Sequence, residues 1–226
     1  MKLRIWLFLG IVIVLFLACG PKVIIPPEID LTKYEHIGLI GFNCNAEGNM
    51  DEFVTRHFLM TIRAYQHDAE VIELGSVDEV LESVQVEQID SKVVHAIGQK
   101  YNVNAIFTGN LEITEIQPLD VLYSRRLFPD ARPISSKTSI EGKRVKAIVK
   151  VWITARLWET EQGGTVWRRS DRGEDMVDQV SVLSGGKVVF DARDPRKAFW
   201  DLVNPLVKKL CTDFKTKSVR IQEYHQ

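Results

Sequence analysis

The most reactive side chains in this 226-residue sequence are a thiol and two imidazoles that no local motif ties together. Cys44 stands just beyond the apolar run Ile37 to Phe42, where α/β enzymes often place a nucleophile, and His57 and His95 are the bases that could fold toward it. Neither a local glycine pattern nor a nucleophile motif surrounds Cys44, and a histidine on an early helix is ordinarily a surface or core-edge residue. A cysteine hydrolase therefore ranks third among the functional readings. Metal binding has less behind it, because His36, His57, His67, His95 and His225 are scattered and no His-x-x-x-His or Cys-x-x-Cys spacing puts two ligands on one face. A phosphate loop needs clustered glycines and a lysine, whereas Gly41 to Asn49 carries no lysine. The expectation is no catalytic residue, no metal, no cofactor and no small-molecule substrate.

A different chemistry, that of docking, is written in the segment Lys143 to Glu159. Val145, Ala147, Val149, Val151, Ile153, Ala155 and Leu157 fall on one side of a period of two, which predicts a half-buried strand. Lys146, Ile148, Lys150, Trp152, Thr154, Arg156 and Trp158 fall on the other. Tryptophan and arginine dominate binding hot spots because they combine apolar area with directed hydrogen bonds, so Lys150, Trp152, Arg156 and Trp158 are candidate partner-binding residues. The competing expectation is that residues 117–140 or a neighbouring hairpin cover this face. Trp167 is a further candidate, its register across Gly163-Gly164 being unreadable. Residues 117–140 exceed an ordinary loop in length and supply two more candidates, Arg125 and Arg126. Charges and prolines interrupt that segment too soon for a membrane-crossing barrel strand.

The elements that must position these residues alternate. Ile37 to Phe42 predicts a buried strand. A helix follows from Asn49, the expected cap, with Phe53, Val54, Phe58, Ile62 and Tyr65 at helical spacing. Ala69 to Leu74 predicts a second strand, and Ser76 with Glu79 a capping box opening a short helix. Asp90 caps a helix bearing Val93, Val94, Ile97 and Tyr101, and Val103 to Thr108 is a third strand, continued by Leu111 to Ile116. Lys143 to Glu159 and Thr165 to Ser170 form a hairpin, and Asp194-Pro195 opens an amphipathic helix through Leu202, Leu206, Leu210 and Phe214 in which Pro205 predicts a kink. The fold class is α/β: a two- or three-layer sandwich with a mixed sheet, a parallel βαβ part followed by an antiparallel hairpin, and helices packed on it.

The first residues read charged, then apolar from Ile5 to Ala18, then Cys19-Gly20-Pro21, a secretory signal over 1–18. Leu15-Phe16-Leu17-Ala18-Cys19 resembles a bacterial lipobox, although Phe16 and Leu17 depart from its commoner residues. The resemblance implies cleavage before Cys19 and acylation of its sulfur. Gly20 stands where an Asp would, by likeness to Gram-negative sorting, retain the chain at the inner membrane. The expected location is thus the outer membrane, facing the periplasm, or the cell membrane of a bacterium lacking an outer one. Residues 19–35 read as a short proline-bearing tether, 36–215 as one domain and 216–226 as a polar tail. Without Lys2 and Arg4 the 29 Lys+Arg become 27 against 30 Asp+Glu, a net charge of −3 that indicates no nucleic-acid partner. Cys44 and Cys211 are left as a disulfide or as two separate buried thiols.

Ile37 to Phe42, Val71-Ile72-Glu73-Leu74, Ala96 to Asn110 with Gly98, Tyr101 and Val-Asn-Ala-Ile-Phe-Thr-Gly, and Trp158 to Trp167 fall in an order that resembles the bacterial α/β lipoproteins related to CsgG, LpoB and the amino-terminal domain of TolB. The likeness spans about residues 35 to 215 and rests on hydrophobic and glycine positions. It implies a periplasmic module that assembles with itself or with envelope proteins and has no catalytic residues. The first functional reading is a membrane-anchored, non-catalytic assembly or docking lipoprotein. The second is a subunit, homo-oligomeric or otherwise, of a CsgG-like secretion or transport complex.

Overall fold

The structure is a computed structural model that describes residues 22–45, 49–118, 144–182, 188–190 and 195–220. The signal segment 1–18, Cys19, Arg125 and Arg126 with the rest of 119–140, Asp194 and residues 221–226 lie outside the described residues.

Strand β1 (Lys22–Ile25) comes first and stands apart from the main sheet. Strand β2 (Ile37–Ile40) is buried at all four positions, because it lies between two neighbours and under helices on both faces. A strand dry on both sides reads as a continuous apolar run instead of alternating, as Ile-Gly-Leu-Ile does. After β3 (Asn43–Cys44) come helix α1 (Met50–Tyr65), strand β4 (Val71–Gly75), helix α2 (Val77–Ser83), helix α3 (Ser91–Tyr101) and strand β5 (Ala105–Pro118). β2 runs parallel to β4 and to β5, and β3 runs parallel to β5.

Beyond β5 the sheet turns antiparallel through β6 (Arg144–Glu159), β7 (Thr165–Val182) and β8 (Val188–Phe190). The order is β4-β2-β5-β6-β7-β8, a mixed sheet with helices packed on it and no barrel, which is the architecture the sequence pattern predicts. Helix α4 (Pro195–Leu210), a 3-10 turn (Cys211–Phe214) and β9 (Lys217–Arg220) close the chain, and Pro205 sits inside α4.

Two cores flank the sheet. On one face α1 and α4 bury Phe58, Leu202 and Phe214 against Phe107, Leu157 and Trp167. Phe107 is central there, its ring 5.3 Å from Phe58 and 5.7 Å from Phe214. On the other face α2 and α3 bury Val80, Val94 and Ile97 against Ile40 and Ile106. The first core extends along β6 from Ala147 to Leu157, whereas the second reaches β6 only at Trp158. Among the described residues the antiparallel half is therefore covered by helices on one side only.

Several expectations need correction. Asn49 makes no side-chain cap, because its backbone at φ −90°, ψ 40° is not the extended conformation that aims a cap oxygen at the helix amides. Ser76 and Glu79 do form the capping box, and the Asp90 carboxylate accepts from the amides of Lys92 and Val93. β7 runs on past Ser170 to Val182, since the length of β6 offers a ladder that the polar run Asp171 to Asp175 hides in the sequence.

The tether and the polar tail are corrected together. β1 pairs antiparallel with β9, Val23 opposite Val219, and Leu31 and Tyr34 are buried in the first core. The prolines of this segment rule out helix but not a strand whose partner lies at the other end of the chain.

Candidate functional site

The open face of β5, β6 and β7 is built by register. Thr108, Arg156 and Arg168 are aligned across the three strands, followed by Asn110, Thr154 and Ser170, then Glu112, Trp152 and Arg172. A bulge between Ile113 and Glu115 brings Glu115 onto the same row as Lys150 and Glu174. The alternation predicted for β6 holds from Ala147 to Leu157: the odd positions are buried, and Trp152 on the even side is 37% exposed.

Where the α2–α3 layer stops, a step is left beside this face. It forms a concavity of roughly 320 Å³ whose lining includes Ile89, Asn110, Glu112, Trp152, Arg156 and Arg168. Trp158 is its hinge to the core: partly buried against the second core, it donates its indole N–H to Thr108 Oγ1 at 3.0 Å. The Arg156 guanidinium lies 5.8 Å from the Trp158 ring centroid, and that of Arg172 lies 4.7 Å from the Trp152 ring. Stacking on an indole orders an arginine while leaving its N–H donors directed outward. The arrangement suits a carboxylate-bearing or aromatic partner surface.

Lys150 differs from the other candidates, because its Nζ is 2.6 Å from Glu115 Oε2. The hydrogen bond from Lys150 holds the Glu115 carboxyl below its ordinary value, and the same bond pushes the Lys150 ammonium up. Lys150 is a paired charge at the margin of the face, and Arg156 and Trp152 sit nearer its centre. Trp167 does not join them. A bulge between Leu157 and Trp158 sets Trp167 opposite Leu157, so its indole points into the first core, 8% exposed, and donates to Asp213 Oδ2 at 3.0 Å. Arg125, Arg126 and the lipidation candidate Cys19 lie outside the described residues.

The cysteine-and-histidine constellation is divided by the sheet. His57 on α1 belongs to the first helical layer, where its Nε2 is 3.1 Å from Asn204 Oδ1. Burial holds its imidazole below the ordinary value, against the Asn204 hydrogen bond and with help from Lys208. His95 on α3 belongs to the opposite layer, its Nδ1 3.0 Å from the Thr160 carbonyl oxygen. Cys44 and Cys211 form no disulfide; Cys44 is half-buried, and burial pushes the Cys211 thiol far up. Among the described residues no group of three His, Cys, Asp or Glu side chains gathers to hold a metal, and no helix is long and apolar enough to cross a membrane.

Two features of the surface escape a reading of the sequence. Arg168 and Arg172 belong to the open face through the bulged register of β7, which has no local signal. On the other side of the sheet, Phe53, His57, Met60, Tyr65 and Trp200 line a groove of roughly 500 Å³ between α1 and α4. Met60 at 62% and Trp200 at 45% exposure are apolar residues on the outward sides of amphipathic helices, the one signal that could have flagged it.

No protein-family model and no curated protein matches this chain. Solved structures do. A dodecameric PelC from Paraburkholderia phytofirmans is similar at 12% identity and a TM-score of 0.43, covering 88% of this chain and 100% of that one. The LpoB C-terminal domain from Salmonella enterica is similar at 9% identity and a TM-score of 0.29, over 60% of this chain and 80% of its own. A minor lipoprotein from Acinetobacter baumannii is similar at 9% identity and a TM-score of 0.29, over 83% and 98%. Bacterial lipoproteins are thus among the structures to which this chain is similar.

Proposed function

We propose that this chain is a membrane-anchored, non-catalytic docking lipoprotein of the bacterial envelope, held by acyl chains on Cys19 at the outer membrane and engaging an envelope protein through the open face of β5, β6 and β7. The lipobox-like Leu15 to Cys19 supports the anchor. The observation that carries the docking role is the row of arginines and indoles that no described helix covers, Arg156 and Arg172 lying over Trp158 and Trp152 beside a concavity. An indole 37% exposed on a sheet face is costly to leave in water and becomes a hot spot when a partner dries it.

The test is capture of partners from membranes by the full lipidated chain under mild cross-linking. Trp152→Ala with Arg156→Ala reduces the captured envelope protein at least about tenfold while the circular dichroism spectrum is unchanged. An undiminished capture refutes the docking face. Capture of further copies of this chain alone, running as a closed ring, turns the reading to a CsgG-like oligomeric secretion or transport subunit. The hydrolase reading predicts that Cys44→Ala abolishes the cellular phenotype, and the docking reading predicts that it does not.

A further inference from the structure

The β1–β9 ribbon projects three consecutive apolar side chains into solvent: Val23 is 42% exposed, Ile24 71% and Ile25 42%, and Val219 across from Val23 is 49% exposed. In a two-stranded ribbon, neighbours in sequence point to opposite sides. Val23, Ile25 and Val219 thus share one side and Ile24 projects from the other, and among the described residues none of them is fully covered, although an isolated ribbon of this length is marginal in water without a surface to cover it. Cations stand beside the patch: Ile25 is in register with Lys217, and Lys215 precedes β9.

What covers the ribbon follows from chain length, on the reading that Cys19 is the acylated residue. Only Gly20 and Pro21 separate Cys19 from Lys22. Three residue steps span at most about 11 Å, so acyl chains buried in a bilayer keep the start of β1 within that distance of the anchored sulfur's residue. No other part of the domain is tied so closely. Apolar side chains at this depth meet the boundary between headgroups and acyl chains, and lysines beside them meet anionic headgroups.

We propose that the β1–β9 ribbon is a membrane-docking element that lays Val23, Ile24, Ile25 and Val219 into the interface of an anionic bilayer, with Lys215 and Lys217 toward the phosphates. The lipid on Cys19 and the ribbon then form two points of attachment, and the domain is held at a fixed attitude to its membrane. This sets the direction in which the open sheet face is presented.

The experiment places an environment-sensitive dye at Ile24→Cys in the lipidated chain, in a Cys44→Ser background with the buried Cys211 left in place. The comparator is Met176→Cys, 55% exposed on β7 and nine residues, about 30 Å of strand, beyond Trp167. On vesicles of seven parts phosphatidylcholine to three of phosphatidylglycerol, iodide quenching at position 24 falls at least about threefold relative to detergent-free solution, and that at position 176 does not. Adding Val219→Asp restores quenching at position 24 while the chain still floats with the vesicles. Position 24 remaining fully quenched on vesicles, with mass spectrometry showing an acylated Cys19, overturns the ribbon proposal and leaves the anchor. Shielding that follows protein concentration instead of lipid assigns the ribbon to a second copy and also overturns it. An unacylated Cys19 overturns the anchor and the proposal built on it.

Discussion

Replacing Gln66 by leucine tests whether the segment entering the domain is clamped or merely follows an anchor. The Gln66 side chain, 6% exposed, accepts from the Leu31 amide at 2.6 Å and donates to the carbonyl oxygens of Ile29 at 2.5 Å and Phe214 at 3.1 Å. One side chain thus ties the entry segment to the end of the last helical turn. Leucine keeps the volume and removes all three bonds. At about 1 kcal/mol net for each hydrogen bond, with Leu31 N–H and Ile29 C=O left partly unpaired in a dry site, the loss is about 2–4 kcal/mol. With an m-value near 2–3 kcal/mol/M, the urea midpoint read by tryptophan fluorescence falls by about 1 M. Native-state hydrogen exchange at the Leu31 amide accelerates with it. The control is Arg56→Ala on the same helix. It removes an exposed pair with Glu52 at 2.7 Å, worth about 0.3–0.5 kcal/mol. If the Gln66→Leu midpoint moves no more than that of the control and the Leu31 amide stays protected, the clamp is not what holds the entry segment, and the reasoning fails.

A Cβ added at Gly109 would stand 2.2 Å from a Phe42 ring carbon, and Phe42 is only 2% exposed. Gly109→Ala is expected to cost about 1–3 kcal/mol, part of which a second change, Phe42→Leu, recovers in thermal melts. Asp213 titrates under opposing influences: its burial raises the carboxyl, but Trp167 N–H and the Arg169 guanidinium outweigh this and hold it below the ordinary carboxylate range. A carboxyl whose folded value is depressed stabilises the fold above its unfolded value, and that stability is lost as pH falls through the folded one. Urea midpoints measured downward from about pH 6 therefore drop below about pH 4, and Asp213→Asn flattens that acid limb at the expense of stability at neutral pH.

The local signals that hold in the fold are the β6 periodicity and the caps at Ser76 and Asp90, whereas the one at Asn49 does not. The β6 alternation put Trp152 and Arg156 on one face because side chains of a strand point to opposite sides in turn, whatever it pairs with. Ser76 with Glu79, and Asp90 before Lys92 and Val93, carry their caps within one turn of chain. The site's remaining members were not legible. Arg168 and Arg172 reach it, and Trp167 turns away, because of one bulge between Leu157 and Trp158 whose position depends on pairing across strands.

The chain by itself determined an α/β mixed sheet and which face of β6 is apolar, and its Leu15 to Cys19 resembles a lipobox. Only the tertiary structure decided that the second helical layer stops at Trp158, so that among the described residues no helix covers the other side of the antiparallel strands, that His57 and His95 lie on opposite sides of the sheet, and that Lys22–Ile25 and Lys217–Arg220 meet in a ribbon. The physical reason is range. Periodicity and capping are set by neighbours within a turn or two, whereas coverage, register and the meeting of termini are set by which distant surfaces bury each other.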